Sequence, residues 1–264
     1  MTGVSGTSGE GTGSSRATPG GRVTQEGRVT PGGRMVAVLP VGATEQHGLH
    51  LPPETDTLLA VAAAGALVDE LVDGPVDDPG EARACFTVLA ALAFGASGEH
   101  QAFPGTVSMG TEALASVVLE LGRSVSTWAD RLLIVNGHGG NVEALRLAVT
   151  RLRYEGRDAA WLSCRTAEDS TDTHAGHAET SLMLHLHPDL VDMERAEKGC
   201  TAPLREILPA MREGGVAAVS PTGVLGDPTT ASGGEGARLW HLLVAEARAS
   251  LIAWNPGDAD GMLR

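Results

Sequence analysis

From Met35 onward, short β-type apolar runs alternate with longer stretches of helical spacing, and this alternation limits the fold more than any other feature of the chain. Met35 to Val41, Cys85 to Leu92, Leu132 to Val135 and Ala159 to Leu162 read as strands. Thr57 to Val72, Thr111 to Trp128 and Val142 to Tyr154 have helical length and period, and Thr180 to Leu186 continues the pattern. Repeated strand–helix–strand units need crossover connections, so they give parallel pairing with helices on the sheet faces. The expectation is a single-domain α/β fold over residues 35–264, a mainly parallel central β-sheet flanked by α-helices. Further helices are expected near Pro203 to Arg212 and from about Glu235 to Trp254. Between them lies the turn-rich stretch SPTGVLGDPTTASGG, read as a lid or an oligomer contact.

Residues 1–34 are almost entirely Gly, Ser, Thr, Arg and Glu. Such a segment cannot bury enough apolar surface to offset the entropy of ordering, so a disordered low-complexity tail is expected. A docking arm is the alternative. A net charge of −14 with no basic stripe argues against nucleic acid as a partner. Cys85, Cys164 and Cys200 are odd in number and lack C-x-x-C spacing, which indicates neither a disulfide framework nor a zinc knuckle. No secretory h-region and no membrane-spanning apolar run is present, so a soluble, cytoplasmic protein with no membrane partner is expected.

In open α/β sheets the ligand crevice lies beyond the carboxyl ends of the strands. Each expected strand is followed by polar, glycine-punctuated sequence: GATEQHGLHLPPETDT, FGASGEHQAFPGT, NGHGGN and RTAEDSTDTHAGHAET. Most of the nine histidines fall there. Glu45 and His47 are two apart in extended chain, where alternate side chains point the same way, and Asp56 at the mouth of the next helix can join them. Mixed carboxylate and imidazole donors suit Zn, Mn or Fe(II) and can bridge two ions. Taken singly, these residues also read as helix caps, solvated charges or a satisfied loop histidine. His138 sits between glycines just past a strand, which fits either a crowded ligand site or an ordinary tight turn.

In HAGHAETS, His174 and Glu179 are five apart, so both reach one site only if His174 precedes the helix. Glu179 is then a ligand candidate in the first turn, or simply a carboxylate favoured by the helix dipole. His174 on the loop suits a proton shuttle. Ser97, Glu99 and His100 read as substrate-orienting groups or as a polar turn, not as ligands. His50 and His177 read as supporting or surface residues, and His185 and His187 as ordinary helix residues. Cys164 as a thiol nucleophile is the weaker alternative to an inert buried thiol.

The segments VGATEQHGLHLPPETDT, NGHGGN and HAGHAETS, in this order, resemble the signature regions of the creatininase (creatinine amidohydrolase) family, over about Met35 to the C-terminus. The resemblance implies two divalent metal ions per subunit, with Glu45 and His138 on one, His47 and Glu179 on the other and Asp56 bridging. It implies His174 as the catalytic histidine, with Glu99 as a second proton-handling candidate, and a hexameric homo-oligomer. Creatininase itself has a glutamate where this chain has Gly140, which argues against creatinine as substrate.

ASGEHQAFPGTVSMGTEAL, HLHPDLVDMERAEKGCTAPLREILPAMR and SPTGVLGDPT are similar to the branch of the family associated with the mycofactocin system. That likeness implies a peptidase releasing a C-terminal Val-Tyr dipeptide from a small modified precursor peptide. Two rivals stand beside it: a formamide or cyclic-amide (lactam) hydrolase of the same family, and a catalytically silent metal-binding partner in a biosynthetic pathway.

Overall fold

A computed structural model describes residues 34–73, 84–164 and 172–264, so the expected tail falls almost wholly outside the described residues. Four strands, β1 (Met35–Val41), β2 (Cys85–Val88), β3 (Arg131–Asn136) and β4 (Ala159–Ser163), form one sheet in the order β2-β1-β3-β4. All three pairings are parallel. The α/β class expected from the alternating pattern is the one observed. Among the described residues no helix is long and apolar enough to cross a membrane.

The period of two along β1 and β3 divides the core. Ala37, Leu39 and Val41 of β1 with Leu132 and Ile134 of β3 pack on one face against α2 (Thr111–Val125) and α3 (Val142–Tyr154). Val36, Val38, Leu133 and Val135 face the other way, onto Ala60, Ala63, Ala64 and Leu67 of α1 (Thr55–Asp73) and onto Leu243, Val244 and Ala247. The last three belong to α6 (Gly233–Ala253), which also covers α4 (His177–Leu186). The remaining helix, α5 (Leu204–Gly214), packs through Ile207 on Val216 and Leu225.

Element ends depart from the sequence reading for local reasons. The strand expected over Cys85 to Leu92 stops at Val88, but Leu89 and Leu92 still donate to the Val38 and Pro40 carbonyls, keeping the chain beside β1. The helix expected to reach Trp128 ends at Val125, where Ser126 and Thr127 turn their hydroxyls onto the Gly122 and Ser124 carbonyls. The helix expected from Thr180 begins three residues earlier, because the Asp172 carboxylate accepts the His177 and Ala178 N–H groups. His187, expected inside that helix, lies just beyond its end.

Asn141, with no exposed surface, ties three loops together. Its Nδ2 donates to the Gly42 carbonyl at 2.9 Å and to Asn136 Oδ1 at 3.1 Å, and its Oδ1 accepts from Ala96 N at 2.8 Å. Replacing it leaves buried backbone groups without partners, each costing about 1–3 kcal/mol. Asn141→Ala is therefore expected to lower the unfolding free energy in urea by roughly 2–5 kcal/mol. A loss under about 0.5 kcal/mol, the range of neutral surface changes, would show that the loops are held by other means.

Candidate metal centre

Strand order reverses between β1 and β3, and in such sheets the crevice opens there, at the carboxyl ends. The loop leaving β1 carries Glu45 and His47, and the one leaving β3 carries His138. Between Glu45 and α1 the chain doubles back, with Glu45 N donating to the Pro53 carbonyl, so the first turn of α1 brings Asp56 beside Glu45. A Cβ at Gly137 would stand 2.2 Å from the Asp56 carbonyl oxygen. Only glycine lets the chain leaving β3 pass this close, and the passage delivers His138 to the carboxylates.

Glu45, His47 and Asp56 are at most 1% exposed and His138 is 5% exposed. His138 Nδ1 lies 3.2 Å from both Glu45 Oε1 and Asp56 Oδ2. The other Asp56 oxygen, Oδ1, lies 3.2 Å from His47 Nε2, and Glu179 Oε2 approaches the same nitrogen at 4.0 Å. Asp56 thus turns one oxygen toward a Glu–His pair and the other toward a His–Glu pair. Glu45 Oε1, Glu45 Oε2, Asp56 Oδ2 and His138 Nε2 are buried without a hydrogen-bond partner.

The clustered carboxylates favour positive charge on the groups among them. His47 Nδ1 donates to the Glu45 carbonyl at 3.1 Å, so a neutral ring would turn its Nε2 lone pair on Asp56 Oδ1. Burial by itself disfavours charge on His47, yet the carboxylates of Asp56, Glu179 and Glu45 raise its pKa to about 9. Burial likewise opposes charge on His138, but Glu45 and Asp56 raise that group well above its ordinary value. Asp56, against the effect of burial, is held far below the carboxylate range by His47 and His138. Either protons or a metal cation can meet this demand.

His174 precedes α4, as its spacing from Glu179 requires, and exchanges backbone hydrogen bonds with Leu225. Its Nδ1 is 3.5 Å from Glu45 Oε1, and burial lowers its pKa to about 4, with His47 adding to the effect. The residue after His174, Ala175, has a φ of 51°, a left-handed conformation unusual for a residue with a Cβ, and its N–H is taken by Glu179 Oε2. Glu99 Oε1 faces His138 Nε2 at 3.5 Å. A Cβ at Gly140 would stand 2.4 Å from the Ala96 carbonyl oxygen and from His138 Nε2, and 2.5 Å from that same Glu99 oxygen, so all three close the room a side chain at 140 would need.

Three groups of described residues can converge on an ion: Glu45, His47 and Asp56; His47, His174 and Glu179; and Glu45, His100 and His174, the candidate atoms in each lying within 4.8 Å of one another. The structure thus brings Glu45, His47, Asp56, His138, Glu179, His174 and Glu99 to one place. It also brings His100, whose Nε2 is 3.3 Å from Glu45 Oε1, although the sequence marked it only as a substrate-orienting or turn residue. Its signal was the Gly-Glu-His triplet just past a strand. Gln46, flanked by Glu45 and His47, drew no notice and is buried in the same cluster.

His50 is buried on Thr180, while His177 meets Thr230 nearer the surface. The turn-rich stretch after Ser220 packs against the site, burying Val224 and Leu225. Beside Glu179 and His174 opens a cavity of about 420 Å³, walled by Leu59, Leu182 and Leu239, with no lysine or arginine among its described lining residues.

Residues 25–251 match the Creatininase family, described as creatinine amidohydrolase. The chain is 51% identical over 229 residues to the mycofactocin precursor peptide peptidase of Mycobacterium ulcerans (strain Agy99), covering 86% of this chain and 88% of that protein. It is 50% identical over 228 residues to the protein of the same name from Mycolicibacterium smegmatis (strain ATCC 700084 / mc(2)155), with the same coverage. Among solved structures it is similar to one titled "Creatininase Mn", with a TM-score of 0.67 and 28% identity over 85% of this chain and 93% of that one.

Two supporting residues give direct expectations. Burial pushes the Cys164 thiol up to about 12, so alkylation by iodoacetamide at neutral pH should be far slower in the folded protein than in urea. Equal rates would place the thiol in solvent. Burial and His47 lower His50 to about 4 from an ordinary 6.5. The neutral ring is the native one, so its contribution to stability is complete above pH 6.5 and is lost as pH falls toward 4. His50→Gln should flatten that part of the stability–pH profile; an unchanged acid limb would count against it.

Proposed function

Since the chain belongs to the creatininase family, a family of metal-dependent amide hydrolases, we propose that it is a dinuclear metal-dependent peptidase acting on a small modified peptide. The carrying observation is the disposition of Asp56, one oxygen 3.2 Å from His138 and the other 3.2 Å from His47, amid buried carboxylate oxygens without hydrogen-bond partners. This donor set fits two divalent cations, Zn, Mn or Fe(II): Glu45, His138 and Asp56 would hold one, and His47, Glu179 and Asp56 the other. The Nδ1–H of His47, held by a backbone carbonyl, is the support that metal-ligating histidines commonly have. When bound, such ions supply Lewis acidity toward an amide carbonyl and acidify water near neutral pH.

The chain's own residues handle the proton. His174, neutral because burial lowers its pKa to about 4, becomes a strong acid once it takes up a proton, and so can pass it to the departing nitrogen. Glu99, 3.5 Å from His138 Nε2, is the second proton-handling group. The cavity beside Glu179 and His174 has room for a dipeptide-sized group, more than a formamide fills, and sets an apolar wall of Leu59, Leu182 and Leu239 against the carboxylates of Asp172, Glu179, Asp227 and Glu235. The mycobacterial relatives' name supports a mycofactocin precursor as that peptide, with release of its C-terminal Val-Tyr. Gly140 supports a substrate other than creatinine, because the position that carries a glutamate in creatininase is here filled by Glu99. A reducing cytoplasm is the proposed setting, and a homo-oligomer, a hexamer by family likeness, the proposed assembly.

Metal-loaded protein incubated with the crosslinked precursor peptide should release Val-Tyr, followed by mass spectrometry, and Asp56→Ala should abolish release. Hydrolysis of simple formamides or lactams with the peptide left intact would replace the peptidase reading by the small-amide one. Metal binding without any hydrolysis would favour a non-catalytic partner. His174→Ala should lower kcat by about 10²–10⁴-fold at unchanged metal content. Glu99→Gln, which keeps the side-chain shape and removes the carboxylate, should lower kcat/KM without loss of metal, and an unchanged kcat/KM would remove Glu99 from the mechanism.

A further inference from the structure

Gln46 lies between Glu45 and His47 and is 7% exposed. Two backbone groups fix which way its amide faces: the Gly48 N–H donates to Oε1 at 2.9 Å, and Nε2 donates to the Gly223 carbonyl at 3.1 Å. A flipped amide would set donor against donor and acceptor against acceptor. The same Nε2 lies 2.9 Å from His100 Nδ1. An amide nitrogen only donates, so His100 Nδ1 accepts and the neutral ring carries its proton on Nε2, the atom 3.3 Å from Glu45 Oε1.

The backbone of the same residue acts on the second histidine. The Gln46 carbonyl oxygen is 2.7 Å from His174 Nε2, and a carbonyl only accepts, so Nε2 holds the ring proton. The 3.1 Å approach of the Gln46 amide nitrogen to His174 Nε2 is then a contact between two donors. His174 is left with Nδ1 as its other nitrogen, 3.5 Å from Glu45 Oε1.

We propose that Gln46 is a positioning residue that holds both His100 and His174 in the Nε2–H tautomer, so that proton exchange in the site passes through His174 Nδ1. The turn-rich stretch completes this clamp. Gly223, at φ +80°, is where a Cβ would stand 2.0 Å from Gln46 Oε1, so glycine there lets the backbone carbonyl reach the amide. Leu225, two residues on, holds the His174 backbone from the same stretch. The segment read as a lid or an oligomer contact thus also supports His174 and, through Gln46, His100. The consequence for catalysis rests on His174 being the proton carrier; the tautomer assignment does not.

The test is ring ¹³C and ¹⁵N NMR of histidine-labelled, zinc-loaded full-length protein, in which the two neutral tautomers give distinct ring shifts. His100 and His174 should both show the Nε2–H pattern in the native chain. In Gln46→Glu, whose carboxylate accepts where the amide donated, His100 should switch to Nδ1–H while His174, held by the backbone, stays as it was. Gln46→Met, which also releases the Gly223 carbonyl and so loosens the stretch that holds the His174 backbone, should lower kcat about tenfold or more with KM and zinc content within twofold. If Gln46→Met fails to fold, the native and Gln46→Glu spectra decide. Either histidine in the Nδ1–H form in the native chain overturns the proposal, as does a His100 unmoved in Gln46→Glu, or a loss of activity that follows zinc content alone. These spectra read the tautomers even if the peptide is not the substrate, which separates failure of this inference from failure of the peptidase reading.

Discussion

Two carboxylates, Glu45 and Asp56, lie at most 1% exposed within reach of one His138 nitrogen, and the surrounding structure answers to the cost of keeping them there. Ionised carboxylates taken out of water cost several kcal/mol each unless positive charge and hydrogen bonds compensate. The nearby histidines can compensate in two ways. They can hold extra protons, as the raised values of His47 and His138 indicate, or they can present lone pairs to cations that sit among the oxygens. The first sets two carboxylate oxygens against a single His138 nitrogen, and the second would give each oxygen a cation to face.

The sheet makes this cluster possible. Reversal of strand order between β1 and β3 opens a crevice exactly where no crossover helix covers the strand ends, and two adjacent loops deliver donors from the two sides. The loops themselves are tied by buried polar groups rather than apolar packing: Asn141 binds the exits of β1, β2 and β3, and Gln46 joins the β1 loop to the histidines and to the turn-rich stretch after Ser220. A low-aromatic core of Ala, Val and Leu therefore carries a site whose precision comes from amides and backbone carbonyls. Rigid placement of this kind keeps a metal ligand or a proton donor on one nitrogen instead of two.

Much of this was legible in the chain before folding. Period-two runs marked the strands and 3.6-residue spacing the helices, because both patterns report directly on which side chains face the core. Glu45, His47, Asp56, His138 and Glu179 stood out because the motifs are compact and follow expected strands. Gln46 and His100 were not legible as a pair, since the partners of Gln46, at positions 48, 100, 174 and 223, come together only in the fold. The start of α4 was missed for a similar reason: its first N–H groups are capped by Asp172, which lies outside the helix and carries no capping spacing. The end of α2 shows the reverse case, where propensity suggested more helix and two hydroxyls onto local carbonyls stopped it.

The proposed site would hold two cations, with Asp56 set between the Glu45–His138 pair and the His47–Glu179 pair. Anomalous diffraction from crystals loaded with zinc or manganese tests it most directly. Two peaks on opposite sides of Asp56 are expected, one beside Glu45 and His138 and the other beside His47 and Glu179. A single peak that does not touch Asp56, or ions bound only outside this cluster, would contradict the account.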